Sequence, residues 1–187
     1  MAHLILASSS PRRRELLQQL GLTFEVYSPD VDESVLDGEH IEDYVVRLAR
    51  TKAQAVLAHS PNAIVIAADT SLAFAGKILG KAESKQHAFT MWSELSGHWH
   101  DVFTGVCVSN ATHTLSTVVQ TQVQLLLPAA EMEHYWATAE PIGKAGAYAI
   151  QGIAAQYIPQ IRGSYSNVVG LPLYETAQLL QQLQATQ

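Results

Sequence analysis

Residues 63–74 read AIVIAADTSLAF, and how this stretch is read decides the fold. A nearly continuous apolar run is what a strand shows when both of its faces are covered, so it is a central strand of a layered α/β sheet. Asp69 interrupts the run. An ionised carboxylate in such a place costs roughly several kcal/mol unless it is paired, bound to a cation or protonated. That makes Asp69 a candidate catalytic group, with a structural ion pair as the alternative.

Residues 4–14, LILASSSPRRR, carry the second signal. A short apolar strand breaks into serines, Ser10 supplies an N-cap hydroxyl, and Pro11 is pre-set for the first turn of a helix. The helix N-terminus presents unpaired N–H groups and the positive end of the dipole, where Arg12, Arg13 and Arg14 are poor choices for stability alone. The combination asks for an anion, most simply a phosphate. By i, i+3, i+4 and i+7 spacing, Arg13 shares a face with Leu16, Leu17 and Leu20 and points inward, while Arg14 faces solvent.

Gly21 ends that helix, and Thr23 to Tyr27 alternates as a second strand. In the loop SPDVDES that follows, Asp30, Asp32 and Glu33 are either a solvated acidic turn or a place to recruit a hard cation such as Mg²⁺. Ile41 to His59 is a periodic helix whose stripe is Val45, Leu48, Ala49, Val56 and Leu57. Lys52 falls on this stripe, so its stem snorkels outward or its ammonium is held inside.

Beyond the central strand, residues 75–77 form a hairpin turn, and Gly80 allows Lys81 to stand over whatever Asp69 faces. Ser84 caps a helix to Leu95 with Ala88, Met91, Trp92 and Leu95 on its apolar face. Two long strands follow, residues 99–109 and 114–127, then a helix over 130–139. His87, His98, His100 and His113 lack the spacing of a zinc site. The segment 141–170 is rich in glycine, which marks backbone that turns sharply or approaches a ligand, and it carries Lys144, Gln151, Ser164, Tyr165 and Asn167. Gln151 suits a base edge because one amide both donates and accepts; the alternative is a loop amide satisfied locally. Pro172 opens the last helix.

This order of elements gives the expected fold class, α/β: an elongated three-layer α/β/α domain with a long bent mixed sheet and a cleft between two lobes. With 48% hydrophobic and 15% charged residues in a chain of 187, one globular domain over 1–187 is expected. A net charge of −6 argues against a broad nucleic-acid or anionic-membrane surface, so a phosphate site must be local. Cys107 is the only cysteine, the apolar run after Met1 is short, and no segment approaches the roughly 20 apolar residues that cross a bilayer, so the expected location is the cytoplasm.

Arg12, Arg13, Lys52 and Lys81 set beside Glu33 and Asp69 match nucleotide phosphate chemistry, in which cations hold the phosphate chain and carboxylates hold a metal and prepare water. No GxxxxGK[ST], GxSxG or GxGxxG motif points to another reaction. The blocks ASSSPRRRELL, VDES, AADT, GKILGK, LSGHWHDVFTG, EPIGKAGAYAIQG and GSYSNVVGLPLYET, with Arg47 to Lys52, together resemble the Maf family of nucleoside triphosphate pyrophosphatases over essentially the whole chain.

The resemblance implies a fold shared with inosine triphosphate pyrophosphatases, a homodimer, a divalent cation (Mg²⁺ or Mn²⁺), and cleavage of a nucleoside triphosphate substrate to the monophosphate and pyrophosphate by metal-activated water. It makes Asp69 the proton acceptor, Glu33 and Asp69 metal ligands, and Ser8, Arg13, Lys52 and Lys81 phosphate-binding, with Ser10 beside them. At the three selecting positions Arg12, Thr70 and Gln151 are similar to the branch that acts on dTTP and UTP; the 7-methyl-GTP branch carries tryptophan, glutamine and glutamate there. Gly143, Ala82 and Ser71 depart from the family pattern around the base pocket. Modified pyrimidine nucleotides are an alternative substrate. A nucleotide-binding regulator of septum formation without turnover is the alternative function, although a sensor has no need of a buried carboxylate.

Overall fold

The computed structural model describes residues 3–185, so the first two and last two residues of the expected domain 1–187 lie outside the described residues. Its strands are β1 (Leu4–Leu6), β2 (Glu25–Val26), β3 (Ile64–Phe74), β4 (Lys77–Leu79), β5 (Trp99–Ser109), β6 (Thr114–Gln124) and β7 (Gln160–Arg162). Its helices are α1 (Pro11–Gln18), α2 (Ile41–His59), α3 (Lys85–Leu95), α4 (Ala129–Ala137), α5 (Tyr165–Val169) and α6 (Leu173–Ala185), with a 3-10 turn at Ile153–Tyr157. The strands form one mixed sheet in the order β2-β1-β3-β5-β6-β7, and β4 also pairs with β3. No helix among the described residues is long and apolar enough to cross a membrane.

Alternation along β3 sorts the layers. Val65 and Ala67 pack with Ala49, Ala53 and Val56 of α2, whereas Ile64, Ile66 and Ala68 pack with Leu16 and Leu17 of α1 and Leu179, Leu180 and Leu183 of α6. Farther along that second face, Leu72 and Val102 meet Trp92 and Leu95 of α3 and Met132 and Tyr135 of α4. One face is therefore covered by two clusters and the other by α2, giving the expected three layers and two lobes. Helix α2 lies hard against the sheet at Gly105, which pairs with Asp69 across β3 and β5.

The described fold departs from expectation mainly after residue 124. β6 stops short of Leu127 because the Leu126 N–H turns to the Tyr157 carbonyl, 2.7 Å away. The glycine-rich return holds the 3-10 turn, β7 and α5, none of which is expected from its composition.

His100 is buried in the core. Its Nε2 lies 2.7 Å from the Tyr148 hydroxyl, and its Nδ1 is buried without a partner. Burial, opposed by the Asp101 charge, lowers the imidazole pKa from 6.5 to about 4. Between those values the unfolded chain binds more protons than the folded one, so stability is lost as pH falls through this window, by up to about 3 kcal/mol. Urea unfolding at pH 7 and pH 4.5 is expected to show a smaller acid loss in His100→Gln than in the unmodified chain. Equal losses would remove His100 as the cause.

Candidate active site

The cleft begins as a gap in the sheet. β1 pairs with β3 as far as Ile66 and β4 joins β3 from Leu72 onward, leaving residues 67–71 without a strand on that side. β1 and β3 run parallel, and the chain departs from the carboxyl end of β1 into α1, the kind of crevice where open α/β sheets bind ligands. A cavity of about 440 Å³ opens there, within the size range of small-molecule sites. Ser8, Ser10, Arg12, Arg13, Glu33, Lys52, Asp69, Thr70, Lys81 and Gln151, the residues given catalytic or binding roles from the sequence, all border it.

Asp69 and Thr70 stand at the middle of the gap on opposite faces of β3. On the α2 side, Lys52 Nζ lies 2.7 Å from Asp69 Oδ1 and 2.7 Å from Glu33 Oε1. Lys52 is thus buried and held inside, because α2 lies on the sheet directly over Asp69. Lys81 Nζ adds a longer contact of 3.7 Å to Glu33 Oε2. Burial pushes the Glu33 carboxyl up, but Lys52, supported by Lys81 and Arg13, outweighs it and holds the group below the usual carboxylate range.

Glu33 reaches the cleft because its loop is tied to α2. The Tyr44 hydroxyl donates to the Glu33 carbonyl at 2.9 Å, and Arg47, ion-paired with Glu39, donates to the Ser34 carbonyl at 2.9 Å. Of the other two acids of that loop, Asp32 accepts from Ser34 N and Oγ and forms an ordinary acidic turn, while Asp30 is exposed.

On the opposite face Arg13 is held at three points. Its Nε donates to the Gly170 carbonyl at 2.7 Å, one terminal nitrogen to Ser8 Oγ at 3.3 Å and the other to Thr70 Oγ1 at 3.0 Å. Ser10 Oγ caps α1 by accepting from Arg13 N, and Ser8 Oγ accepts from Ser10 N. Arg14 is exposed, as its helical position requires.

The glycine-rich return closes the cleft from the second lobe. Glu140 accepts from the Tyr135 hydroxyl and from Ile153 N and Ala154 N, fixing the turn that carries Gln151 to the cavity. A Cβ on Gly152 would stand 2.1 Å from Glu140 Oε2, so a larger residue there would push the Glu140 carboxylate off these donors. Lys144, one of the polar groups named in this segment from the sequence, also borders the cavity and donates to the Glu140 carbonyl. Burial and then the Arg12 charge lower its ammonium pKa. Of the polar groups expected to face a ligand there, Ser164, Tyr165 and Asn167 do not: Ser164 caps α5, Tyr165 is exposed and Asn167 is fully buried.

Five cations (Arg12, Arg13, Lys52, Lys81 and Lys144) therefore border the cavity against two carboxylates, on a chain whose net charge is −6. The excess is local, as an anionic ligand of a few charges requires. Among the described residues no three His, Cys, Asp or Glu side chains are grouped to hold a metal by themselves. Glu33 and Asp69 nevertheless converge on one ammonium, and Mg²⁺ is commonly held by one or two carboxylates completed by substrate phosphates. The donor set fits a cation that arrives with a polyphosphate.

The sequence profile of Maf-like proteins matches residues 3–183. The chain belongs to the Maf-like protein family. A protein named dTTP/UTP pyrophosphatase from Acinetobacter baylyi is 64% identical to it over 96% of this chain and 99% of that protein. One of the same name from Colwellia psychrerythraea is 50% identical over 95% and 86%. Among solved structures, the Ham1 protein of Staphylococcus aureus overlaps 66% of this Maf-like chain and 71% of its own, at 15% identity and a TM-score of 0.44.

Proposed function

We propose that this Maf-like protein is a pyrophosphatase of dTTP and UTP, cleaving the bond between the α- and β-phosphates to release the nucleoside monophosphate and pyrophosphate. The observation that carries the reading is the buried Asp69 carboxylate in a cleft bordered by five cations. The names of the two relatives agree with it.

In this reading Arg13, Lys52, Lys81 and the N-terminus of α1 hold the phosphate chain, because each offers N–H donors to the cavity. Asp69 accepts the proton of the attacking water. Its Oδ1 is engaged by Lys52, while Oδ2 makes no hydrogen bond among the described residues. Glu33 and Asp69 would hold a divalent cation, Mg²⁺ or Mn²⁺, which supplies positive charge to the phosphate oxygens and acidity to water when bound. The base lies toward Gln151, Thr70 and Arg12, and the amide of Gln151 suits the imide and carbonyl edge of uracil or thymine. A homodimer in the cytoplasm belongs to the same proposal.

The test is pyrophosphate release with Mg²⁺ or Mn²⁺ across dTTP, UTP, dCTP, CTP, 5-methyl-UTP and pseudo-UTP. We expect kcat/KM for dTTP and UTP to exceed that for the cytosine nucleotides by at least about tenfold, since a polar edge left unpaired is penalised strongly. Equal values for all bases, or no pyrophosphate from any, would overturn the assignment; higher values for the modified nucleotides would move it to them.

A further inference from the structure

Thr104 is fully buried at the centre of β5 and does not border the cavity, yet its hydroxyl is one hydrogen bond from a residue that does. It is the direct partner of Thr70 in the β3 and β5 ladder, and the two Oγ1 atoms are 2.9 Å apart. Thr70 Oγ1 also accepts from Arg13 at 3.0 Å, and Thr104 Oγ1 lies 3.1 Å from the Asn167 carbonyl.

The ends of this line fix its polarity. A guanidinium only donates and a carbonyl only accepts. The two hydroxyls between them then have one consistent order: Arg13 donates to Thr70, Thr70 to Thr104, and Thr104 to Asn167. Among the described residues the other acceptor within reach of Thr70 Oγ1 is the Gly170 carbonyl, and at 3.5 Å that contact is at the limit of a hydrogen bond and much longer than the 2.9 Å to Thr104. The far end is firm as well. Asn167 Nδ2 donates to the Val102 carbonyl at 3.1 Å and to Thr121 Oγ1 at 2.9 Å, locking α5 onto β5 and β6 at the expense of a buried Oδ1 without a partner. The same α5 delivers the Gly170 carbonyl to Arg13.

We propose that Thr104 is a positioning residue for phosphate binding: by accepting a hydrogen bond from the Thr70 hydroxyl, it keeps the Thr70 lone pairs turned to Arg13. The guanidinium is then presented to the cleft in one orientation. Of its five N–H groups three are spent on Gly170, Ser8 and Thr70, and the other two remain for a phosphate. The inference rests on the reading of Arg13 as a phosphate-binding group. Asp69 lies on the other face of β3, so proton transfer from water is not the step affected.

Thr104→Val keeps the shape and removes the hydroxyl; Thr104→Ser restores it. Calorimetric binding of inorganic triphosphate is expected to weaken about tenfold in the valine variant, the size of one lost hydrogen bond, and to stay within about twofold in the serine variant. With dTTP the valine variant should raise KM by a similar factor at nearly constant kcat, with the melting temperature of the serine variant confirming the fold. Triphosphate binding by Thr104→Val equal to that of the unmodified chain, or a serine variant as weak as valine, overturns the inference. So does a loss confined to kcat. If the unmodified chain binds triphosphate and the valine variant loses it while no nucleotide is hydrolysed, the inference stands and the pyrophosphatase reading falls. If the unmodified chain does not bind triphosphate at all, both fall.

Discussion

Asp69→Asn is expected to lower kcat for dTTP by roughly 10²–10⁴, the range that a positioned proton acceptor contributes, while the protein remains folded. The two effects separate because of what surrounds the residue. Asparagine fills the same volume on the α2 face of β3, and its amide oxygen can still accept from Lys52. Breaking a buried ion pair normally leaves one charge stranded, at about 3–5 kcal/mol. Here Lys52 keeps Glu33 Oε1 at 2.7 Å, so its ammonium retains a countercharge. What the variant loses is the ability to take a proton, together with half of the carboxylate pair that would hold a cation. Pyrophosphate release and a thermal melt on the same preparation check both halves. Hydrolysis at the unmodified rate would remove Asp69 from the chemistry, and with it the mechanism proposed above.

That Asp69 could be singled out from sequence follows from the sharpness of its signal: the one charge in a strand that is apolar on both faces up to that point. Lys52 and Arg13 are legible for a related reason, since each is a cation at a helical position whose neighbours are buried, and each is held inside by a partner the fold supplies. Local periodicity does not say which partner. Arg13 meets Thr70 and Gly170, far away in sequence, and only the closing of the sheet brings them together. The acidic loop shows the limit of composition, because Asp32 and Glu33 are adjacent and chemically alike but only Glu33 reaches the cleft. α5 is hidden for a simpler reason. Five residues do not complete two helical turns, so no apolar stripe can develop. Its Asn167 therefore reads as a ligand-facing polar group, whereas it is fully buried and clamps the helix to the sheet. Gly105 carries a signal in the sequence, a glycine inside a strand pattern, which points to a close approach without naming the element that approaches.

The element is α2, and Gly105→Ala is expected to cause the largest loss of stability of any substitution considered. A Cβ at this position would lie 2.4 Å from the Val45 carbonyl carbon and oxygen and 2.6 Å from Val46 N. These are backbone atoms inside a helix of 19 residues, so no side chain can rotate away and the helix itself must rise off the sheet. Overpacking of a core usually costs about 1–3 kcal/mol, and the upper end or beyond applies where the obstacle is main chain. For a domain of this size that corresponds to a fall in melting temperature of roughly 6–12 °C. The displacement has a functional consequence too. α2 carries Lys52, and Gly105 pairs with Asp69, so lifting the helix separates the ammonium from the carboxylate at the centre of the cleft. Protein that still folds should therefore hydrolyse dTTP more slowly at temperatures well below its own melting point. A variant as stable and as active as the unmodified chain would mean that α2 does not need this contact, and that the cleft is held together by something other than the seating of that helix on the strand.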